Sequence, residues 1–386
     1  MVGQRGGDRV GDAGGVERAA RRGGLDPLLN ARCGAGHAER VVPAAPAPQR
    51  KAPDAARIDA IAQVLKSGEP ALIILANKAT RGRALDLAGR VAAGTGCRLG
   101  SQFFTARIER GAGRVPIERI PYAVAQGSAF LAGFKHLITV ETREPVAFFS
   151  YPDKPSLLKA PGAVVHPLAE PDEDSEAALE MLLDALGMTG TQPRIQERIE
   201  TPAPSGALNP TSIAHAIAAA LPEHAILVDE SLTTGRESMG LTMGARPHDL
   251  INNMGGSIGY GTPVATGAAL ACPDRRTFCM VGDGSAMYTI QSLWTQAREA
   301  LPVTTIIFAN NSYAILKAEY ANMGAGTPGP QALAMIDIDR PTIDWVAMAK
   351  SMGVPGVQVS TAEDFHAAMT RSVDADGPLL IEVKLY

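Results

Sequence analysis

The chain has 386 residues, 46% hydrophobic and 20% charged, with a formal net charge of −4. That length predicts two or three domains, the composition is that of an ordinary soluble globular protein, and the charge gives no sign of nucleic-acid binding. No apolar run approaches the length of a membrane span. The seven histidines show no metal-ligand spacing. Cys33, Cys97, Cys272 and Cys279 form no C-x-x-C pair, so they read as reduced thiols in a cytoplasmic protein.

Residues 1–52 differ from the rest. The first fifty contain 10 Gly, 9 Ala and 8 Arg and no aromatic residue. Such a segment cannot bury enough apolar surface to offset its chain entropy, which predicts a disordered leader. It has no apolar h-region for a secretory signal, and its five acidic residues argue against a transit peptide. The Pro/Ala-rich stretch 41–53 reads as a linker.

Residues 53–190 alternate helix and strand. Helices are predicted over 58–66 and 83–93, and strands over 71–76, 97–101, 137–140 and 146–149, the last two parallel. This is the pattern of a Rossmann-like unit. No G-x-G-x-x-G follows a strand, so the domain reads as structural and FAD is not expected. A second Pro-rich linker spans 191–206. The domain 207–386 opens with a helix over 210–220 and a strand over 225–229, whose carboxyl end carries the run from Asp229 to Thr234, a further candidate contact for diphosphate or substrate. The expected fold is α/β, with two Rossmann-like three-layer units and mostly parallel sheets.

The most informative stretch is 277–312. A strand over 277–281 runs into Gly282-Asp283-Gly284, and a helix follows with Ala286, Ile290, Leu293, Trp294 and Ala297 on its apolar face. A β-rich run over 303–309 then stops at Asn310-Asn311. A right-handed crossover brings the two strand ends together if the strands are neighbours, and ligands of open α/β sheets bind at such ends. Asp283 offers a carboxylate and Asn310 an amide oxygen. Oxygen-only donors suit Mg²⁺, which completes its octahedron with phosphate oxygens and water. Gly282 and Gly284 permit close backbone approach, and a helix starting near Ser285 presents free N–H groups to an anion. A lone Gly-Asp-Gly is usually only a turn. Its pairing with Asn-Asn across a helix is far more specific, and it predicts a metal-bridged diphosphate.

These residues also carry a family resemblance. Gly282-Asp283-Gly284 followed by Asn310-Asn311, with the run M-G-G-S-I-G-Y-G-T-P-V-A-T-G-A-A-L-A over 254–271, resembles the thiamine diphosphate-dependent acetolactate synthase and benzoylformate decarboxylase family. The likeness covers roughly residues 53–386. It implies Asp283 and Asn310 as Mg²⁺ side-chain ligands, with the Ser312 carbonyl as a third ligand and Asn311 as the rival to Asn310. It implies Gly284 and Ser285 as diphosphate contacts, Ile258 as the apolar wedge beneath the cofactor, and the Gly256 carbonyl as acceptor for the aminopyrimidine. The alternative for Ile258 is an ordinary core position. After Ser312, S-Y-A-I-L-K-A-E-Y resembles the substrate-facing helix, with Ile315 and Glu319 as candidate pocket residues. Further helices over 343–352 and 362–373 and a strand over 379–383 complete the sheet.

The family's activating Glu belongs to an N-terminal domain, and nothing in residues 1–40 resembles it. Neither Glu17 nor Glu39 is assigned that role, so no catalytic residue is expected in this chain. The resemblance implies an enzyme of acetolactate synthase type acting on 2-oxo acids such as pyruvate, truncated and impaired, associating as a homodimer or homotetramer, with no nucleic acid or membrane partner. One alternative is a non-catalytic half-site subunit that needs a separate partner. Another is a dinucleotide-dependent oxidoreductase, against which the missing glycine fingerprint counts.

Overall fold

The computed structural model of the protein describes residue 46 and residues 49–386. The predicted leader, most of the first linker, Glu17, Glu39 and Cys33 lie outside the described residues.

The first α/β unit begins with α1 (Ala55–Lys66), capped by the Asp54 side chain, which accepts the Arg57 N–H. There follow β1 (Ala71–Leu75), α2 (Gly82–Thr95), β2 (Arg98–Ser101), β3 (Arg107–Arg110), β4 (Glu118–Arg119), α3 (Val124–Leu131), β5 (His136–Val140), β6 (Val164–Ala169) and α4 (Ser175–Leu186). Five of these strands form a parallel sheet in the order β4-β2-β1-β5-β6. β1 is buried along its whole length, as an apolar strand covered on both faces must be. Ile73 and Leu75 pack with Ile58, Leu85 and Leu183 on one side, and Leu72 and Ile74 pack with Val124, Leu131 and Phe134 on the other.

The second unit contains α5 (Pro210–Ala220), β7 (Ala225–Glu230), α6 (Ser238–Leu241), β8 (His248–Asn252), α7 (Gly261–Ala271), β9 (Thr277–Gly282), α8 (Asp283–Ala286) and α9 (Ser292–Arg298). β10 (Val303–Ala309), α10 (Ala314–Asn322), α11 (Pro330–Ile336), α12 (Trp345–Ser351), β11 (Gly356–Val359), α13 (Ala362–Val373) and β12 (Leu379–Lys384) complete it. Its sheet runs β11-β12-β10-β9-β7-β8-β3. Six strands are parallel, and Leu227, Phe278 and Phe308 face one helical layer while Val228, Val281 and Ile307 face the other. The α/β class and the parallel three-layer units are therefore as expected. Among the described residues no helix is long and apolar enough to cross a membrane.

Two local expectations fail. Residues 146–149 form no strand: Val146 makes one isolated bridge to Leu157, and Phe148 and Phe149 are exposed to 40% and 50%. Their rings pack on Phe104 and on each other instead of on the sheet. The place beside β5 goes to β6, which contains Pro167 and is tolerated because it is an edge strand. The helix expected after Gly284 is broken into α8 and α9 by turns over 287–291, and Trp294 is 54% exposed, off the buried face that holds Ala286, Ile290 and Leu293.

One pairing that the sequence reading did not address joins the two units. β3 lies in sequence within the first but pairs antiparallel with β8 in the second sheet, Ile108 opposite Leu250. Asp249, 5% exposed, fixes this seam. Its carboxylate accepts from Arg107 Nε at 2.8 Å and Nη2 at 3.2 Å, and from Arg275 Nη2 at 2.5 Å. Burial alone would raise the Asp249 carboxyl, but these charge-assisted bonds win and hold it below its ordinary range.

Candidate active site

β9 and β10 are parallel neighbours with Phe308 opposite Gly282, so their carboxyl ends emerge side by side. Asp283, the first residue of α8, is 2% exposed. One carboxylate oxygen accepts the Gly284 N–H at 2.8 Å, and the other reaches across to the tip of β10 and accepts the Asn311 N–H at 2.6 Å. Neither bond brings a positive charge. Burial pushes the Asp283 carboxyl above its ordinary range, and the Asn311, Gly284 and Asn310 amides pull it only part of the way back.

The Asn310 amide oxygen accepts the Ser312 N–H at 3.0 Å, a local Asx turn that shapes the tip. Asn311 takes φ +55, the left-handed region that Asn tolerates, and its carbonyl accepts the Ile338 N–H. Ser312 is anchored through its hydroxyl to Asp337, 2.9 Å away, and Lys317 also donates to that carboxylate. Lys317 first, and Ser312 with it, keep the Asp337 carboxyl low. Gly284 is required sterically: a Cβ there would lie 2.5 Å from the Tyr313 ring. Gly282 is half-buried and Ser285 buried. Thus Gly282, Asp283, Gly284, Ser285, Asn310 and Ser312 gather at one pair of strand tips. The helix there has only four residues, so the dipole behind its first-turn amides is shorter than that of a continuous helix.

Gly256 and Ile258 belong to the loop after β8. Asn253 shapes its start by accepting the Gly255 and Gly256 N–H groups at 2.7 and 2.8 Å. Glu230, 2% exposed at the end of β7, holds the other side, accepting the Gly259 N–H and, at 2.6 Å, the Gly261 N–H. Burial raises the Glu230 carboxyl, and the Gly261, Gly259 and Tyr260 amides offset part of that rise. Gly259 has φ +86, and its carbonyl accepts from Thr289 Oγ1 at 2.7 Å. Thr289 lies in the turns that break the predicted helix, so the break ties the loop to the segment following Asp283. Ile258 is only half-buried and joins none of the apolar clusters of the described residues, which leaves its side chain available to a ligand.

Of the run 229–234, Asp229 accepts from its neighbour Ser231 and Glu230 clamps the glycine loop, so both acids are engaged within the protein. On α10, which has no fully buried residue, Ile315 is half-buried and Glu319 accepts from the Tyr151 hydroxyl of the first unit at 2.9 Å. Tyr151 stands in an aromatic group with Tyr122, Phe148 and Phe149, and the Phe148 ring packs against Gly256. Sequence reasoning missed the Glu230 clamp, the Asn253 turn and this aromatic cover. Asn-Met-Gly-Gly is itself a turn signal for Asn253. Glu230 and Phe148 act across 29 and 108 positions of chain, and nothing local announces that.

A sequence profile described as "Thiamine pyrophosphate enzyme, C-terminal TPP binding domain" matches residues 234–383, spanning both strand tips and the glycine loop. A Mycobacterium tuberculosis protein named for the acetolactate synthase large subunits (IlvX) is 45% identical over 341 residues, covering 88% of this chain and 66% of the relative. The chain carries the thiamine diphosphate-binding domain of the family that includes acetolactate synthases and benzoylformate decarboxylases. Within that family, the benzoylformate decarboxylase of Pseudomonas aeruginosa is 33% identical over 178 residues, 46% of this chain and 32% of its own. The solved thiamine diphosphate-dependent 4-hydroxybenzoylformate decarboxylase of Rhodococcus jostii RHA1 superposes with a TM-score of 0.66 at 26% identity, covering 90% of this chain and 66% of that one. The chain thus spans just under two thirds of the M. tuberculosis relative and about a third of the P. aeruginosa enzyme.

Proposed function

We propose that the tips of β9 and β10 hold the diphosphate of thiamine diphosphate through Mg²⁺, in an enzyme of acetolactate synthase type that decarboxylates or condenses 2-oxo acids such as pyruvate. The observation that carries this reading is Asp283: a buried carboxylate bonded only to backbone amides is costly, and a divalent cation is the natural compensation. Its neighbours fit that cation. The Asn310 amide oxygen and the Ser312 carbonyl are neutral oxygen donors, and an all-oxygen set favours Mg²⁺ over softer metals.

When bound, the cofactor supplies carbanion stabilisation next to a carbonyl. The protein's part is placement. Asp283, Asn310 and Ser312 hold the metal and through it the diphosphate, with the Gly284 and Ser285 backbone alongside. Glu230 and Thr289 fix Gly259, which sets the position of the adjacent Ile258 as the wedge beneath the cofactor and of the Gly256 carbonyl as hydrogen-bond acceptor. Phe148, against Gly256, and Tyr151, held by Glu319, form the apolar cover that would keep water from the reacting carbonyl.

The proposal extends to self-association. Met254, Met287, Tyr288 and Leu316, all within four positions of site residues in sequence, are 45–58% exposed, and exposed apolar groups near a site commonly mark an interface.

Calorimetric titration of the chain with thiamine diphosphate, with Mg²⁺ and then with chelator, tests the core of this reading. One-site binding that disappears with the chelator is expected. Heat that is absent in both conditions, or unchanged by the chelator, would overturn it.

A further inference from the structure

At the end of the first sheet where β5 begins, His136 and His166 stand on neighbouring parallel strands. Ile138 is the register partner of His166, so His136, two residues earlier, projects on the same face of the sheet. His136 Nδ1 and His166 Nε2 face each other at 3.0 Å, and the ring centroids are 5.1 Å apart. On the far side of the His136 ring, Nε2 lies 2.9 Å from Glu69, whose other oxygen pairs with Lys135. A carboxylate only accepts, so Nε2 of His136 carries a hydrogen and donates it. With the ring neutral, Nδ1 keeps its lone pair and accepts from His166 Nε2–H.

We propose that these two histidines bind a borderline divalent metal of the Zn²⁺, Ni²⁺ or Cu²⁺ kind, separate in place and chemistry from the oxygen-ligand site at Asp283. Two nitrogens each bonded at about 2.0–2.1 Å to one metal, at octahedral to tetrahedral angles, stand roughly 2.9–3.4 Å apart, which the observed separation already meets. The metal takes the position of the hydrogen between the rings. His166 shifts its single N–H from Nε2 to Nδ1, so both facing lone pairs are free, the rings turn to converge on one point, and no net proton is released. Both rings are partly exposed, which leaves room for that turn. Burial and the neighbouring His136 lower the basicity of His166, favouring the neutral form a metal needs. Glu69 on the outer nitrogen is the carboxylate that orients a ligating imidazole and raises its donor strength. Among the described residues no three His, Cys, Asp or Glu side chains surround one point. The site therefore offers two protein ligands, with water in the remaining positions, and is an exchangeable one.

The test is Zn²⁺ calorimetry and Cu²⁺ electron paramagnetic resonance on the full chain, its fold checked by thermal melting. One equivalent of Zn²⁺ is expected to bind, undisturbed by millimolar Mg²⁺. Affinity should fall at least tenfold in His166→Ala and in His136→Gln, and about tenfold in Glu69→Gln. The Cu²⁺ spectrum should show two coordinated nitrogens in the parent chain and one fewer in either histidine variant. Equal Zn²⁺ affinity in the parent and both histidine variants, or the same nitrogen count throughout, would overturn the proposal, as would displacement of the metal by Mg²⁺.

Discussion

Asp249 and Asp283 are both acidic, both almost wholly buried, and both in the second unit, yet they are provided for in opposite ways. At the seam between β3 and β8, Asp249 meets two guanidinium groups, and its charge is balanced inside the protein. At the tips of β9 and β10, Asp283 meets only amide dipoles, and Glu230 beside it is in the same position. A seam has to hold with nothing bound. A site that leaves negative charge unbalanced is strained without its ligand and relieved with it, which is how a fold reserves a place for a cation.

The largest effect that would sharpen this contrast is on stability. Asp249→Ala strands two arginines and is expected to lower the unfolding free energy by about 3 kcal/mol, at the low end for a broken buried pair because both arginines reach solvent. Urea unfolding measures it, and a loss below 1 kcal/mol would break the comparison. Asp283→Asn should do the reverse. Its metal-free stability is expected to stay within about 1 kcal/mol of the parent, while Mg²⁺-dependent affinity for thiamine diphosphate falls about 100-fold, or roughly 2.7 kcal/mol, by calorimetry. Glu230→Gln turns an NH₂ toward one of the two glycine amides. It is expected to cost about 1 kcal/mol in urea unfolding and about tenfold in cofactor affinity, by loosening the loop around Ile258.

The smallest effects are in pH dependence, and their signs are opposite. The Asp249 carboxyl lies below its ordinary value, so its contribution is fully present above about pH 4 and is lost as pH falls through the folded-state value. Asp283 and Glu230 lie above theirs, so they favour the folded state at low pH and that contribution is lost as pH rises through the raised values. Without metal, the stability of the parent relative to Asp249→Asn should therefore grow as pH rises toward about 4 and stay level beyond it, whereas relative to Asp283→Asn it should shrink as pH rises above about 4. Parallel curves for the two variants would refute the contrast.

Much of the site was legible because its signal is local. Gly-Asp-Gly at the end of one strand and Asn-Asn at the end of the next are read directly, and the buried runs of β9 and β10 allow no other element. What was not legible depends on distant partners. β3 reads Arg-Ile-Glu-Arg, a short charged edge strand whose pairing with β8 is set by Asp249, more than a hundred residues away. The break between α8 and α9 carries no Gly or Pro. It follows from Thr289 reaching the Gly259 carbonyl, a contact no periodicity contains. Residues 146–149 have the composition of a strand, but their aromatic rings find better partners in Phe104 and Gly256 than in the sheet.

The position of β3 bears on how the polypeptide can be divided. Scission within 191–206 would separate this strand from the sheet it completes, leaving the β8 backbone without its outer ladder partner. An open edge of that kind readily recruits a strand from another molecule. The thiamine-binding half isolated in this way would carry an adhesive flank that the intact protein keeps covered with its own upstream residues.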